Sequence, residues 1–144
     1  MHLTHYTNYA LRVLMYLELK KEPVRIQDIA ERHLISRNHL IKIVHELSKN
    51  GYVNTTRGPG GGVVLAKPAN TITVGEIVRL TEDHMNLVEC FGAVEVECKV
   101  KKICRLRNLF GKALQAFMEI LDKATIADIS SNKSEILHAL GIPA

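Results

Sequence analysis

The chain has 144 residues, 19 Lys and Arg against 15 Asp and Glu for a net charge of +4, and 47% hydrophobic residues with 5% aromatic and no Trp. One domain with a mainly aliphatic core fits that size and composition. No apolar run approaches the roughly 20 residues that span a bilayer, and Met1-His2-Leu3-Thr4-His5-Tyr6 lacks the basic flank and apolar block of a signal peptide, so a cytoplasmic location and no membrane partner are expected.

Charge is unevenly distributed. Residues 1–67 carry ten Lys/Arg and five Asp/Glu, whereas residues 68–144 carry nine and ten. The N-terminal half is therefore the basic one, which suits a polyanion partner, although a solvated surface would account for the same excess.

Thr7 is expected to cap a first helix from about Asn8 to Lys20, because Ala10, Leu11, Val13, Leu14 and Leu17 share one helical face. Pro23 is expected to end it, since proline disfavours helical conformation in the residue before it. A short second helix, about Ile26 to His33, turns Ile26, Ile29 and Ala30 inward but has no Ser, Thr or Asp cap. Ser36 then opens a third helix in which Leu40, Ile43, Val44 and Leu47 follow the i, i+3, i+4, i+7 pattern, with Asn50-Gly51 as its stop.

Two short helices with a tight turn between them have the form of a helix-turn-helix. In that motif the first turn of the second helix enters the DNA major groove, so Ser36, Arg37, Asn38 and His39, with Lys42 one turn on, would face base edges or phosphates. An ordinary helical hairpin with a solvated polar end explains the same pattern. Next come two β-rich runs, Tyr52–Thr56 and Val63–Ala66, around a glycine-rich tip. This reads as a β-wing: Gly58, Gly60 and Gly61 keep the tip thin enough for a minor groove, and Arg57 and Lys67 flank it with positive charge. A phosphate-cradling loop is disfavoured, because no Gly-Lys-Ser/Thr follows and a strand comes next. Helix, helix-turn-helix and wing in this order, with a basic excess, point to a winged helix-turn-helix domain that binds double-stranded DNA.

Thr73 begins a short helix to about Leu80 with Glu76 completing a capping box. All three cysteines follow, Cys90, Cys98 and Cys104, spaced C-x7-C-x5-C. Structural disulfides are rare in a reducing cytoplasm, and soft sulfur ligands favour iron-sulfur clusters, zinc or Cu(I). Three such ligands leave one coordination position open; the plainer reading is three isolated thiols. A redox or metal-carrier role lacks a C-x-x-C pair, and no catalytic triad, carboxylate pair or cofactor fingerprint supports an enzyme. Beyond Cys104, the apolar residues Leu106, Leu109, Phe110, Ala113, Leu114, Phe117, Ile120 and Leu121 recur at helical spacing to about Asp122. So strong a stripe needs a partner surface: either the rest of its own chain, or the same helix of a second subunit, which would set two recognition helices on the half-sites of a palindromic operator. The tail holds one apolar group, Ile136-Leu137 with Ala139-Leu140, enough for a short accessory helix. The expected architecture is mainly α with a small β-wing: a winged helix-turn-helix over 1–80, a cysteine-bearing loop over 81–104, a dimerisation helix over 105–125 and a tail over 126–144.

The chain resembles the winged-helix repressors of the Rrf-two family, and the nitric-oxide-sensing branch most closely. The resemblance rests on Leu3-Thr4-x-Tyr6-Thr7-x-Tyr9-Ala10-Leu11-Arg12, on Ile35-Ser36-Arg37-Asn38-His39-Leu40, on Arg57-Gly58-x-Gly60-Gly61-Gly62 and on Val74-Gly75-Glu76-Ile77-Val78-Arg79. It rests most specifically on Asn86-Leu87-Val88-Glu89-Cys90-Phe91 with Cys98 and Cys104-Arg105-Leu106. It implies a homodimeric transcriptional repressor in which Cys90, Cys98 and Cys104 hold an iron-sulfur cluster, four-iron or two-iron. Nitric oxide would nitrosylate that cluster and release operator DNA. The cluster-assembly branch has a His three residues after its third cysteine; here that position is Arg107, which counts against that branch. A thiol- or zinc-responsive regulator of the same fold is the alternative. The fourth ligand that the resemblance implies is an Asp reaching across the dimer. Its position here is Asn8, a poorer iron ligand, with His5, His84, Glu89 or water as the other candidates.

Overall fold

A computed structural model describes residues 2–93 and 96–143 of the chain. Of the segments assigned above, Met1, Val94, Glu95 and Ala144 lie outside the described residues. The elements run α1 (His5–Lys20), α2 (Ile26–His33), α3 (Arg37–Lys49), β1 (Val53–Thr55), β2 (Val63–Leu65), α4 (Val74–Thr81), α5 (Arg105–Lys123), α6 (Ile126–Ile129) and α7 (Lys133–Ala139). Single 3-10 turns occupy Ala69–Thr71 and Glu89–Phe91.

α1 is the centre of the core, because its apolar face meets all of its neighbours at once. Ala10, Val13, Leu14 and Leu17 are buried together with Ile29 of α2, Leu40, Ile43 and Leu47 of α3, Val53 and Val63 of the strands, Ile77 of α4 and Ile126 of α6. The stripes read from the sequence are the surfaces that meet here. The helix begins one residue after Thr4 rather than after Thr7: the Thr4 hydroxyl accepts the Thr7 N–H at 3.3 Å. Thr7 lies inside the first turn, fully buried, with its hydroxyl bonded across to Thr81 and Glu82, and capping falls to the threonine three residues earlier. α1 ends at Lys21 in the left-handed conformation (φ 53°), two residues ahead of Pro23, so the proline follows the stop and does not make it.

α3 stops as expected. Gly51 (φ 77°) closes a Schellman turn in which its N–H donates to the Ser48 carbonyl (3.1 Å) and that of Tyr52 to the Leu47 carbonyl (2.9 Å). At the other end Ser36 occupies the cap position, but its hydroxyl makes no capping bond. The strands pair antiparallel, Val53 with Leu65 and Thr55 with Val63, and Val24 bridges the far side of Val63. Val53 and Val63 face inward, and the wing is thereby pinned to the core at its base.

Thr73 and Glu76 form the expected capping box at the start of α4. α5 lies on α4: Val74, Val78 and Met118 make a second small apolar cluster, and Arg79 grips Asp122 through two bonds of 2.5 and 2.7 Å. Gly75 permits the approach, because a Cβ there would overlap the Asp122 carboxylate. Only the C-terminal part of α5 is held this way. Leu106, Leu109 and Ile120 remain 56%, 60% and 69% exposed. Beyond α5, Ile126 is fully buried in the main core and α7 buries Leu137. Among the described residues no helix is long and apolar enough to cross a membrane.

Candidate nucleic-acid interface and cysteine segment

α2, the turn Leu34–Ser36 and α3 form the helix-turn-helix. The buried positions Leu40, Ile43, Val44 and Leu47 fix the rotation of α3, so Ser36, Arg37, Asn38, His39 and Lys42 all lie exposed at its opposite face and N-terminal end. α1 supports this presentation directly: the Tyr6 hydroxyl donates to the Lys42 carbonyl at 3.4 Å, and the Tyr9 ring stacks on His39 at a centroid distance of 6.4 Å. Because Ser36 spends no bond on its own helix, its hydroxyl is free to meet a phosphate or base edge.

The wing projects beside this surface. Arg57, Gly58 and Gly60 are exposed at its tip, and Gly61 is half-buried. The Gly61 N–H donates to the Gly58 carbonyl at 3.0 Å, and a Cβ at Gly61 would sit 2.5 Å from the Thr56 carbonyl oxygen. A thin tip is thus required by the turn itself. Lys67 does not extend from the wing; its ammonium lies 4.3 Å from the centroid of the Tyr52 ring, a cation–π contact that anchors the end of β2.

The three cysteines lie in the connection from α4 to α5. Cys90 is half-buried in the turn Glu89–Phe91, Cys98 is exposed, and Cys104 is half-buried at the N-cap of α5; all three are free thiols. The Cys104 sulfur accepts the Arg107 N–H at 3.4 Å, in the first turn of a helix where partial positive charge accumulates. The Arg107 guanidinium carbon lies 5.7 Å from the centroid of the Phe91 ring, which links the turn carrying Cys90 to the helix carrying Cys104. This donor set, free thiols with a helix N-terminus at one of them, has the chemistry of a soft metal centre. Within the single chain, no group of three His, Cys, Asp or Glu among the described residues is gathered for a metal ion. Asn8 is exposed on α1, where its Oδ1 accepts from Arg12 Nε at 3.1 Å. His5 stacks on Tyr9, and His84 and Glu89 are exposed.

The family model described as Rrf2, iron-dependent transcriptional regulator, matches residues 3–132. The chain belongs to the Rrf2 (Rrf-two) family. It is 47% identical over 142 residues to the HTH-type transcriptional regulator NsrR of Bacillus licheniformis, covering 97% of this chain and 99% of that one. It is 44% identical over 142 residues to NsrR of Bacillus subtilis, with 97% of each covered. Among solved structures it is similar to CymR, the global cysteine regulator of B. subtilis, with a TM-score of 0.75 at 28% identity over 92% of this chain and 98% of that one. It is also similar to T. potens IscR, with a TM-score of 0.73 at 26% identity, 94% of this chain and 90% of that one. This Rrf2 chain is a DNA-binding transcriptional regulator, with a mainly helical winged-helix fold as its sequence led us to expect.

Two features of this Rrf2 chain escaped the sequence reading. Glu82, the first residue after α4, accepts from the Thr4 N–H at 2.7 Å, from the Thr4 hydroxyl at 2.9 Å and from the Thr7 hydroxyl. Burial would raise its carboxyl, but the bonds from Thr7 and Thr4 outweigh it and hold the group below the ordinary carboxylate value. Glu82 therefore clasps the start of α1 at the point where the cysteine-bearing connection departs. The second is Arg32 of α2, which is turned to the C-terminal turn of the chain. Both contacts join residues more than 70 positions apart, a separation that leaves no local pattern; the only trace was Thr4 three residues ahead of Thr7.

Proposed function

We propose that the protein is a homodimeric cytoplasmic repressor that binds a palindromic operator and responds to nitric oxide through an iron-sulfur cluster held by Cys90, Cys98 and Cys104. The observation that carries this reading is the position of the cysteines. All three lie on the one connection between α4, packed in the winged-helix core, and α5, whose stripe turns Leu114 and Leu121 onto α4 but leaves Leu106, Leu109, Phe117 and Ile120 exposed. Ligand chemistry there acts on the helix that joins two subunits. In the reading, Ser36, Arg37, Asn38, His39 and Lys42 contact the major groove, and Arg57, Gly58, Gly60 and Gly61 form the minor-groove tip. When bound, the cluster supplies iron that a small diatomic gas reaches. The chain's part is to hold it with the three thiolates and to orient Asn8 of the second subunit, or water, toward the remaining position. A groove of about 1060 Å³ between the start of α1, residues 80–87 and α5, walled by Leu3, Leu80, Leu87, Leu114 and Phe117, supports the second-copy reading by offering apolar surface beside the stripe.

The test is purification without oxygen, visible absorption and metal analysis, and nitric oxide titration against operator binding. The expected result is a coloured iron protein whose DNA affinity falls with nitric oxide. A colourless chain holding one zinc, with unchanged affinity, would refute the cluster and leave the thiol- or zinc-responsive regulator. Asn8→Asp should strengthen cluster retention and Asn8→Ala weaken it.

A further inference from the structure

The end of α5 is not free. The chain leaving it is stitched to the segment before α4: the Val74 N–H donates to the Ala124 carbonyl (2.8 Å), the Ile126 N–H to the Ile72 carbonyl (2.9 Å), and Thr73 and Thr125 form a β-bridge. A capping box of Thr125 and Asp128 starts α6, which buries Ile126 in the core shared by α1 and α3. α7 follows and ends in a Schellman turn: Gly141 (φ 63°) donates to the His138 carbonyl (3.0 Å) and Ile142 to the Leu137 carbonyl (2.9 Å). Two carbonyls just past this helix end, Leu140 and Gly141, both accept from Nη1 of Arg32, at 3.1 and 3.0 Å. A cation on orphan carbonyls at a helix C-terminus is favoured by the hydrogen bonds and by the helix dipole together.

Arg32 stands in the last turn of α2, the first helix of the helix-turn-helix. By charge and location it would be counted as a phosphate contact, yet its Nη1 is engaged at the far end of the chain. We propose that Arg32 is a positioning residue for DNA binding: with residues 126–143 it closes a strap that runs from the end of α5 to the end of α2 and sets the orientation of the reading helices relative to the long helix. The inference rests on the operator-binding reading above, and goes beyond it by giving the C-terminal segment a role in DNA affinity without any contact to DNA.

The experiment uses the full chain and a duplex that the wild-type protein selects from a random-sequence pool, with affinity measured across a salt series. Arg32→Ala is expected to weaken binding about two- to tenfold, the scale of one hydrogen bond of ordinary net strength, with the salt dependence unchanged. Gly141→Ala, which forces a side chain into a left-handed position and places its Cβ 3.4 Å from Arg32 Nη1, should weaken binding in the same way. In a chain ending at Ser131, Arg32→Ala should have no further effect. A phosphate contact behaves differently: removing it lowers the slope of log K against log salt by about 0.9. A lowered slope for Arg32→Ala, an unchanged affinity, or additive effects of the substitution and the truncation would each overturn the proposal. Should the shortened chain fail to fold, the slope and the Gly141 variant still decide. A wild-type chain that selects no duplex refutes the operator reading and the strap together; a wild type that binds while Arg32→Ala binds equally well refutes the strap alone.

Discussion

If the stripe on α5 is the subunit interface, Ile120→Asp separates the dimer without unfolding the protomer. Ile120 is 69% exposed in the single chain, so most of its apolar surface awaits burial. Full burial of such a side chain is worth about 1.5–3 kcal/mol, so about two-thirds of that, roughly 1–2 kcal/mol, is lost per copy. Two-fold symmetry counts the change twice, giving about 2–4 kcal/mol per dimer before the cost of the buried charge. At a tenfold change for each ~1.4 kcal/mol, the dimer dissociation constant rises about 30- to 700-fold. Sedimentation velocity across a concentration series reads this directly. Thermal unfolding of the protomer should change little, as expected for a side chain with few contacts inside its own chain. A variant that associates within about fivefold of the wild type would refute the assignment of this face to the dimer.

Glu82 carries a pH signature. Its carboxyl is held below the ordinary value by Thr7 and Thr4, so its stabilising contribution is fully present above the unfolded-state value near 4.5 and is lost as pH falls through the lower folded-state value. Glu82→Gln should therefore lower stability at neutral pH and flatten the loss of stability on acidification below 4.5, measured by urea unfolding at several pH values. Gly75→Ala should destabilise by about 1–3 kcal/mol, because the added methyl displaces Asp122 and separates α5 from α4; a melting temperature equal to the wild type would refute the close packing. Arg57→Ala should weaken binding to all duplexes alike and lower the salt slope by about 0.9, in contrast to the behaviour expected of Arg32.

The helical pattern made α2 and α3 legible to within a residue, because both have buried stripes whose period leaves one rotation possible. The wing was legible because Gly58-Pro59 and the glycines at 60–62 interrupt two β-branched runs and no regular element tolerates them. Helix ends were less so. Thr4 and Thr7 are chemically equivalent caps and both hydroxyls reach Glu82; what distinguishes Thr7 is its complete burial and its further bond to Thr81. Lys21 in the left-handed conformation ends α1, two residues before the proline that the sequence offers as the stop. Lys67 reads as a wing cation and is found on Tyr52, since a cation–π contact has no sequence period. The cysteine segment was visible as a ligand-rich connection, but spacing along a chain does not specify how three sulfurs are arranged. The side chains at the N-terminal end of α3 are exposed as expected from the stripe beneath them; the order in which they meet base edges is set by the docking angle, which a stripe does not encode.

The long helix has the mechanical form of a lever. Its 19 residues span about 28 Å at 1.5 Å per residue, and within its own chain it is fixed mainly toward the C-terminal end, by Met118 and by Asp122 on Arg79. The N-terminal end, with exposed Leu106 and Leu109, is held within the chain by the cysteine segment, through Cys104 on the Arg107 N–H and Phe91 beside the Arg107 guanidinium. On the proposed reading, a change at the cysteines acts on this N-terminal arm, while the fixed arm continues through α6 and α7 to Arg32 and α2. Cys104→Ser distinguishes this lever from a helix that only packs. Serine keeps a side-chain acceptor at the N-cap, so the main core melts as in the wild type. On the nitric-oxide reading proposed above, the change in operator affinity on nitric oxide treatment is lost in this variant. A variant that still responds would place the signal elsewhere, and one that loses core stability would show that the free arm is built into the fold.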